Sequence, residues 1–123
     1  MKQVLIIDDD YSVRMTFKVL LRKAGHGFTE AENGERGLEL AGSLLPDLII
    51  CDINMGKGLN GFGVIEKLRA NPATASIPVI LITGDPANHQ SKLISQGVHF
   101  LEKPFGMHEF LQAVDKLLEQ PAT

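Results

Sequence analysis

With 123 residues, 44% of them hydrophobic and 22% charged, the chain fits one soluble domain that can bury a real core. A formal charge of −3 excludes broad electrostatic attraction to nucleic acid or anionic lipid, and no apolar run approaches the roughly 20 residues that cross a bilayer. Cys51 is the single cysteine and the N-terminus turns acidic at once instead of continuing as a signal peptide. No internal disulfide forms, and a reducing, cytoplasmic setting is expected.

The first element is the run Val4-Leu5-Ile6-Ile7, apolar without alternation, as in strands buried on both faces. It ends in Asp8-Asp9-Asp10. Val13, Phe17, Leu20, Leu21 and Ala24 then fall at helical spacing, with Gly25 as the stop. Phe28-Thr29-Glu30-Ala31 is mixed in character, as edge strands are. Leu38, Ala41 and Leu45 mark a second helix that ends before Pro46, and Leu48-Ile49-Ile50-Cys51 is again a buried strand, leading to Asp52. Ile65 with Leu68 predicts a shorter helix. Val79-Ile80-Leu81-Ile82 is the third fully apolar run and ends in Thr83. Leu93 with Ile94 predicts another short helix, Val98-His99-Phe100-Leu101 a second edge strand leading to Lys103-Pro104, and Phe110, Val114, Leu117 and Leu118 a strong last helix. There is no repeat and no low-complexity tract. Residues 1–123 read as one domain, with Gln120-Pro121-Ala122-Thr123 as the start of a linker.

Strand and helix alternate five times, so right-handed crossovers give an α/β fold: a single-domain, doubly wound (βα)5 unit with a five-stranded parallel sheet. Placing the two mixed strands at the edges gives the flavodoxin-like order 2-1-3-4-5. In such sheets ligands bind beyond the carboxyl ends of the strands, near the topological switch point. Asp8, Asp9, Asp52, Thr83 and Lys103 stand at those ends. Clustered carboxylates repel one another, and a hard divalent cation such as Mg²⁺ removes that repulsion. Asp8, Asp9 and Asp52 would hold it, with a backbone carbonyl near Asn54 and waters completing the shell. A carboxylate can also attack phosphorus, forming an aspartyl-phosphate. Lys103 and the metal would then neutralise phosphoryl oxygens and Thr83 would hydrogen-bond one, while glycines after Asp52 would let a bulky donor approach.

Four stretches also carry a family resemblance. VLIIDDD, LIICDINM, ILITG and FLEKPF, in that order and spacing, closely resemble the receiver domain of two-component response regulators, from about residue 3 to about residue 119. The resemblance implies a CheY-like fold and a phosphorelay role. Asp52 would accept a phosphoryl group from a histidine kinase or phosphotransfer protein, with Asp8 and Asp9 as the acidic Mg²⁺ pair. Thr83 and Phe100 would have a conformational role, Lys103 would contact phosphate, and Lys103–Pro104 would be cis. Phosphorylation would reshape the surface formed by the helix near Leu93 and Ile94, the fifth strand and the last helix. A downstream effector or fused output domain would read that surface, and a phosphorylation-dependent homodimer is a further expectation from family habit. The chain departs from the family at Gly56, where Pro is usual, in a loop one residue longer than is common, and at Gly84, where Ala or Ser is frequent.

Plainer readings stand beside these. Asp10 reads better as the cap of the first helix than as a ligand. Phe100 reads equally as core packing or as a switching side chain. Asn54 and Asp85 either tune hydrolysis of the phosphate or are simply solvated. His26, His89, His99 and His108 lack metal-ligand spacing, and Cys51 reads as packing. The expected activity is a switch that accepts and slowly loses phosphate, not a turnover enzyme, with no direct contact to nucleic acid or membrane. A haloacid-dehalogenase-type phosphatase would have its acidic pair last and an acid two residues after the nucleophile, where this chain has Asn54. A flavodoxin-like cofactor binder would need a phosphate-cradling loop where this chain has three aspartates, and a degenerate receiver would only bind partners.

Overall fold

A computed structural model describes residues 2–56, 58–84 and 97–119 of the chain. Five strands form one parallel sheet: β1 (Gln3–Ile7), β2 (Gly27–Ala31), β3 (Leu48–Asp52), β4 (Val79–Thr83) and β5 (Val98–Glu102), in the order β2-β1-β3-β4-β5. β3 and β4 are buried along their whole length, whereas β2 and β5 are partly exposed, so the mixed strands do lie at the edges. Four helices are described: α1 (Tyr11–Lys23), α2 (Gly34–Leu44), α3 (Gly61–Ala70) and α4 (Met107–Leu118). The helix expected near Leu93 and Ile94 lies outside the described residues, as do Asp85, His89 and the linker expected from Gln120.

Strand alternation explains the two layers. Leu5, Ile7, Ile49, Cys51, Val79 and Leu81 face one cluster, which is closed by Ala41 of α2 and by Val64, Ile65 and Leu68 of α3. Val4, Ile6, Leu48, Ile50, Ile80 and Ile82 face the other, which is closed by Phe17 and Leu21 of α1 and by Phe110, Val114 and Leu117 of α4. Burial on both faces is the reason these runs are apolar at every position.

Helix starts lie close behind the strand ends. The Asp10 carboxylate accepts from the Ser12 and Val13 amides at 2.8 and 3.3 Å, as expected of a cap. Asn33 caps α2 by accepting from the Arg36 amide at 2.7 Å, and Asn60 caps α3 through the Gly63 amide at 3.0 Å. Two details differ from the periodicity reading. Leu45 is not part of α2 but its left-handed cap, with φ of 48°, because Pro46 comes directly after it. α3 is a full ten residues, because the Asn60 cap draws Gly61-Phe62-Gly63 into its first turn. Glycine content hid that turn in the sequence.

Candidate functional site

The expected residues meet at one edge of the sheet. β1 stops at Ile7 and the chain turns through Asp8 and Asp9 into the Asp10 cap, while Asp52 closes β3 beside it. One carboxylate oxygen each from Asp8, Asp9 and Asp52 lies within 4.8 Å of the others. Asp8 and Asp52 are only 1% and 7% exposed, whereas Asp9 is open to solvent. Lys103 comes just after β5 and places Nζ 3.4 Å from Asp52 Oδ2. The Lys103–Pro104 bond is cis, as the resemblance implied. Asp8 and Asp52 continue the Ile6 and Ile50 side of the sheet, which faces α1 and α4.

Thr83 is buried at the end of β4, and its carbonyl accepts from the Lys103 amide at 2.7 Å. Phe100 is paired in register with Leu81 on β5 and packs, half-buried, against the cluster on the α2–α3 side. Thr83 stands two residues beyond Leu81, so the alternation of β4 puts it on the same sheet face as Phe100. Asn54 is exposed, two residues past Asp52. His26 and His99 are half-buried and His108 is exposed. Among the described residues, the three aspartates form the one group with metal-ligand geometry. Cys51 is fully buried on the α2–α3 side, and burial raises its thiol pKa, which keeps it protonated and inert.

The loop glycines have local backbone reasons. Gly56 adopts φ of +68°, which the pyrrolidine ring of proline, fixed near −65°, cannot reach. The departure from the family's proline is thus a different turn. Gly61 packs so tightly on the end of β3 that a Cβ there would meet the Asp52 carbonyl oxygen and Ile53 Cα at 2.8 Å. Sequence reading missed Glu35, whose Oε2 accepts from the Leu59 amide at 3.2 Å and so ties the loop to the first turn of α2. Only the distant pairing of those segments could have revealed it.

Electrostatics fit a cation. Burial pushes the Asp8 carboxyl up to about 6, with the neighbouring Asp52 and Asp9 charges adding to it and the Asp10 amide and Lys103 opposing. Asp52 is raised in the same direction, again chiefly by burial, with Lys103 and the Asn54 amide pulling it down. Asp8 Oδ2 is buried without a hydrogen-bond partner. A buried carboxylate oxygen left in this way beside two further acids is what a hard divalent ion would satisfy.

Residues 4–115 match the response regulator receiver domain family. The chain belongs to that family. It is 36% identical over 122 residues to the DNA-binding dual master transcriptional regulator RpaA of Synechocystis, covering 98% of this chain but 50% of that protein. It is 34% identical to protein PilH of Pseudomonas aeruginosa, over 96% of this chain and 98% of that one. The chemotaxis response regulator CheY4 of Vibrio cholerae superposes with a TM-score of 0.85 at 26% identity, over 95% of this chain and 98% of that structure. This receiver therefore functions in two-component signalling, and the phosphatase and flavodoxin-like alternatives are set aside. No described helix is long and apolar enough to cross a membrane.

Proposed function

We propose that this receiver is a Mg²⁺-dependent phosphoacceptor switch in which Asp52 carries the phosphoryl group. The observation that carries the reading is the placement of Asp52, nearly buried at the end of β3, among Asp8, Asp9 and Lys103. Asp8, Asp9, Asp52 and the Asn54 carbonyl would hold the ion, which would supply charge neutralisation for the phosphoryl oxygens.

A carboxylate oxygen of Asp52 attacks phosphorus, an O–P bond forms, and the P–N bond to the donor imidazole breaks as that nitrogen takes up a proton. Lys103 Nζ, already 3.4 Å from Asp52, neutralises charge on the transferred group. Thr83, at the end of β4 next to β3 and one residue past the Asp52 register partner Ile82, donates its hydroxyl to a phosphoryl oxygen. Moving it would bear on Phe100, which shares its sheet face, and so on the outer surface of β5. The donor is a histidine kinase or phosphotransfer protein, and the reader is an effector or an output domain, in keeping with relatives such as RpaA that are about twice as long. A phosphorylated homodimer is a further arm of the proposal, and Asn54 either sets the phosphate lifetime or is solvated. The protein is a switch, not a turnover enzyme, and works in the cytoplasm.

Intact mass spectrometry after incubation with Mg²⁺ and acetyl phosphate or phosphoramidate tests the reading. Wild type is expected to gain one phosphoryl adduct, which does not form when Mg²⁺ is chelated beforehand, while Asp52→Asn gains none. An adduct of equal stoichiometry on Asp52→Asn would defeat the assignment. No adduct on wild type with Mg²⁺ bound would favour a degenerate, partner-binding receiver.

A further inference from the structure

We propose that Arg14 positions the metal-holding end of β1 by clamping the Asp8 main chain, an inference that rests on the metal reading above. The Arg14 side chain is 11% exposed and makes two directed hydrogen bonds. Nη1 donates to the Asp8 carbonyl oxygen at 2.7 Å, and Nε donates to Glu30 Oε1 on β2 at 2.8 Å. Helix side chains lean toward the N-terminus, which lets a residue one turn into α1 reach back to the strand before it. Lys18 Nζ donates to the other Glu30 oxygen at 2.6 Å but makes no contact with Asp8.

The other Asp8 groups are committed as well. Its amide donates to the Ala31 carbonyl at 3.1 Å, and Oδ1 accepts from the Asp10 amide at 2.9 Å. With the carbonyl held by Arg14, Oδ2 is the Asp8 atom left for an ion. Glu30 is shared between Arg14 and Lys18, and the neighbouring charges that move the Asp8 pKa come from Asp52, Asp9 and Lys103. Arg14 thus acts through geometry. Mg²⁺ demands a near-ideal octahedron, so a small displacement of one carboxylate is felt in affinity. Lys18 shares Glu30 with Arg14 but has no bond to Asp8, and so provides an internal control.

Calorimetric Mg²⁺ titration of wild type, Arg14→Lys and Lys18→Ala, well below each melting temperature, tests the clamp, together with amide exchange at Asp8. Lysine keeps the charge but cannot bridge both acceptors. Arg14→Lys is expected to weaken Mg²⁺ about 10-fold and speed exchange at Asp8, whereas Lys18→Ala stays within about twofold of wild type. Unchanged affinity in Arg14→Lys, or equal losses in both variants, would overturn the proposal. Arg14→Gln replaces the lysine variant if that one does not fold. Failure of wild type to bind Mg²⁺ would instead sink the metal reading, and exchange at Asp8 would then judge the clamp alone: faster in Arg14→Lys it stands, unchanged it falls.

Discussion

Asp8 and Asp9 are adjacent in sequence and opposite in circumstance. Asp8 is 1% exposed and Asp9 is open, because the turn out of β1 sends consecutive side chains to different surroundings. The consequence is a pH dependence of stability. An unfolded aspartate titrates near 4, and folded Asp8 at about 6, so the metal-free native state holds extra protons between those values. Its stabilising contribution is complete below about pH 4 and is lost as pH rises through 6. Urea melts without metal should therefore show wild type less stable at pH 7 than at pH 5. Asp8→Asn should flatten most of that slope and raise metal-free stability at pH 7 by on the order of 1–3 kcal/mol. Mg²⁺ should restore wild type and leave the variant unchanged, since binding needs the ionised carboxylate. A pH slope identical in metal-free wild type and Asp8→Asn would contradict the raised pKa.

At the scale of elements, the end of β3, which carries Asp52, is held by the helix after it. α3 begins at Gly61, whose amide donates to the Ile53 carbonyl at 2.9 Å, so the helix start is braced directly on the end of β3. Gly61→Ala would press a methyl group on backbone atoms that cannot yield as a flexible side chain would. A loss of about 1–3 kcal/mol is expected, with slower phosphoryl uptake as Asp52 is displaced. Denaturant midpoints and the rate of adduct formation in the mass spectrum check both parts. In the sequence the strands were legible because three apolar runs each ended at a polar residue. The Asp10 cap was legible from its residue type, whereas the Asn33 and Asn60 caps were not read. The extent of α3 and the tie from Leu59 to Glu35 were not legible either. The first was masked by glycine and the second spans 24 residues of chain.

Over the whole molecule, a five-stranded sheet separates two apolar clusters, and the acidic basin of Asp8, Asp9 and Asp52 sits on the side that α1 and α4 close. Phe17 of α1 stacks on Phe110 of α4 with centroids 4.8 Å apart, and Phe105 lies 6.1 Å from each. That aromatic set joins the first helix to the last beneath the basin. Phe110, fully buried, should cost about 3–5 kcal/mol when replaced by Ala, measured by urea denaturation. A loss below about 1 kcal/mol would mean that the α1–α4 side collapses to fill the space.

Periodicity and composition by themselves determined the alternation of strand and helix, the strand order and the identity of the acids at the strand ends. Those features are local: apolar runs report burial on two faces, and a polar residue at their end marks where the strand leaves the core. Only the tertiary structure decided that Asp8 is buried and Asp9 exposed, that Lys103 reaches Asp52, that Thr83 and Phe100 share a face, and that Arg14 spans from Asp8 to Glu30. Each of these depends on the register between strands and on how far side chains from separate segments reach, and neither is written in the spacing of any one segment.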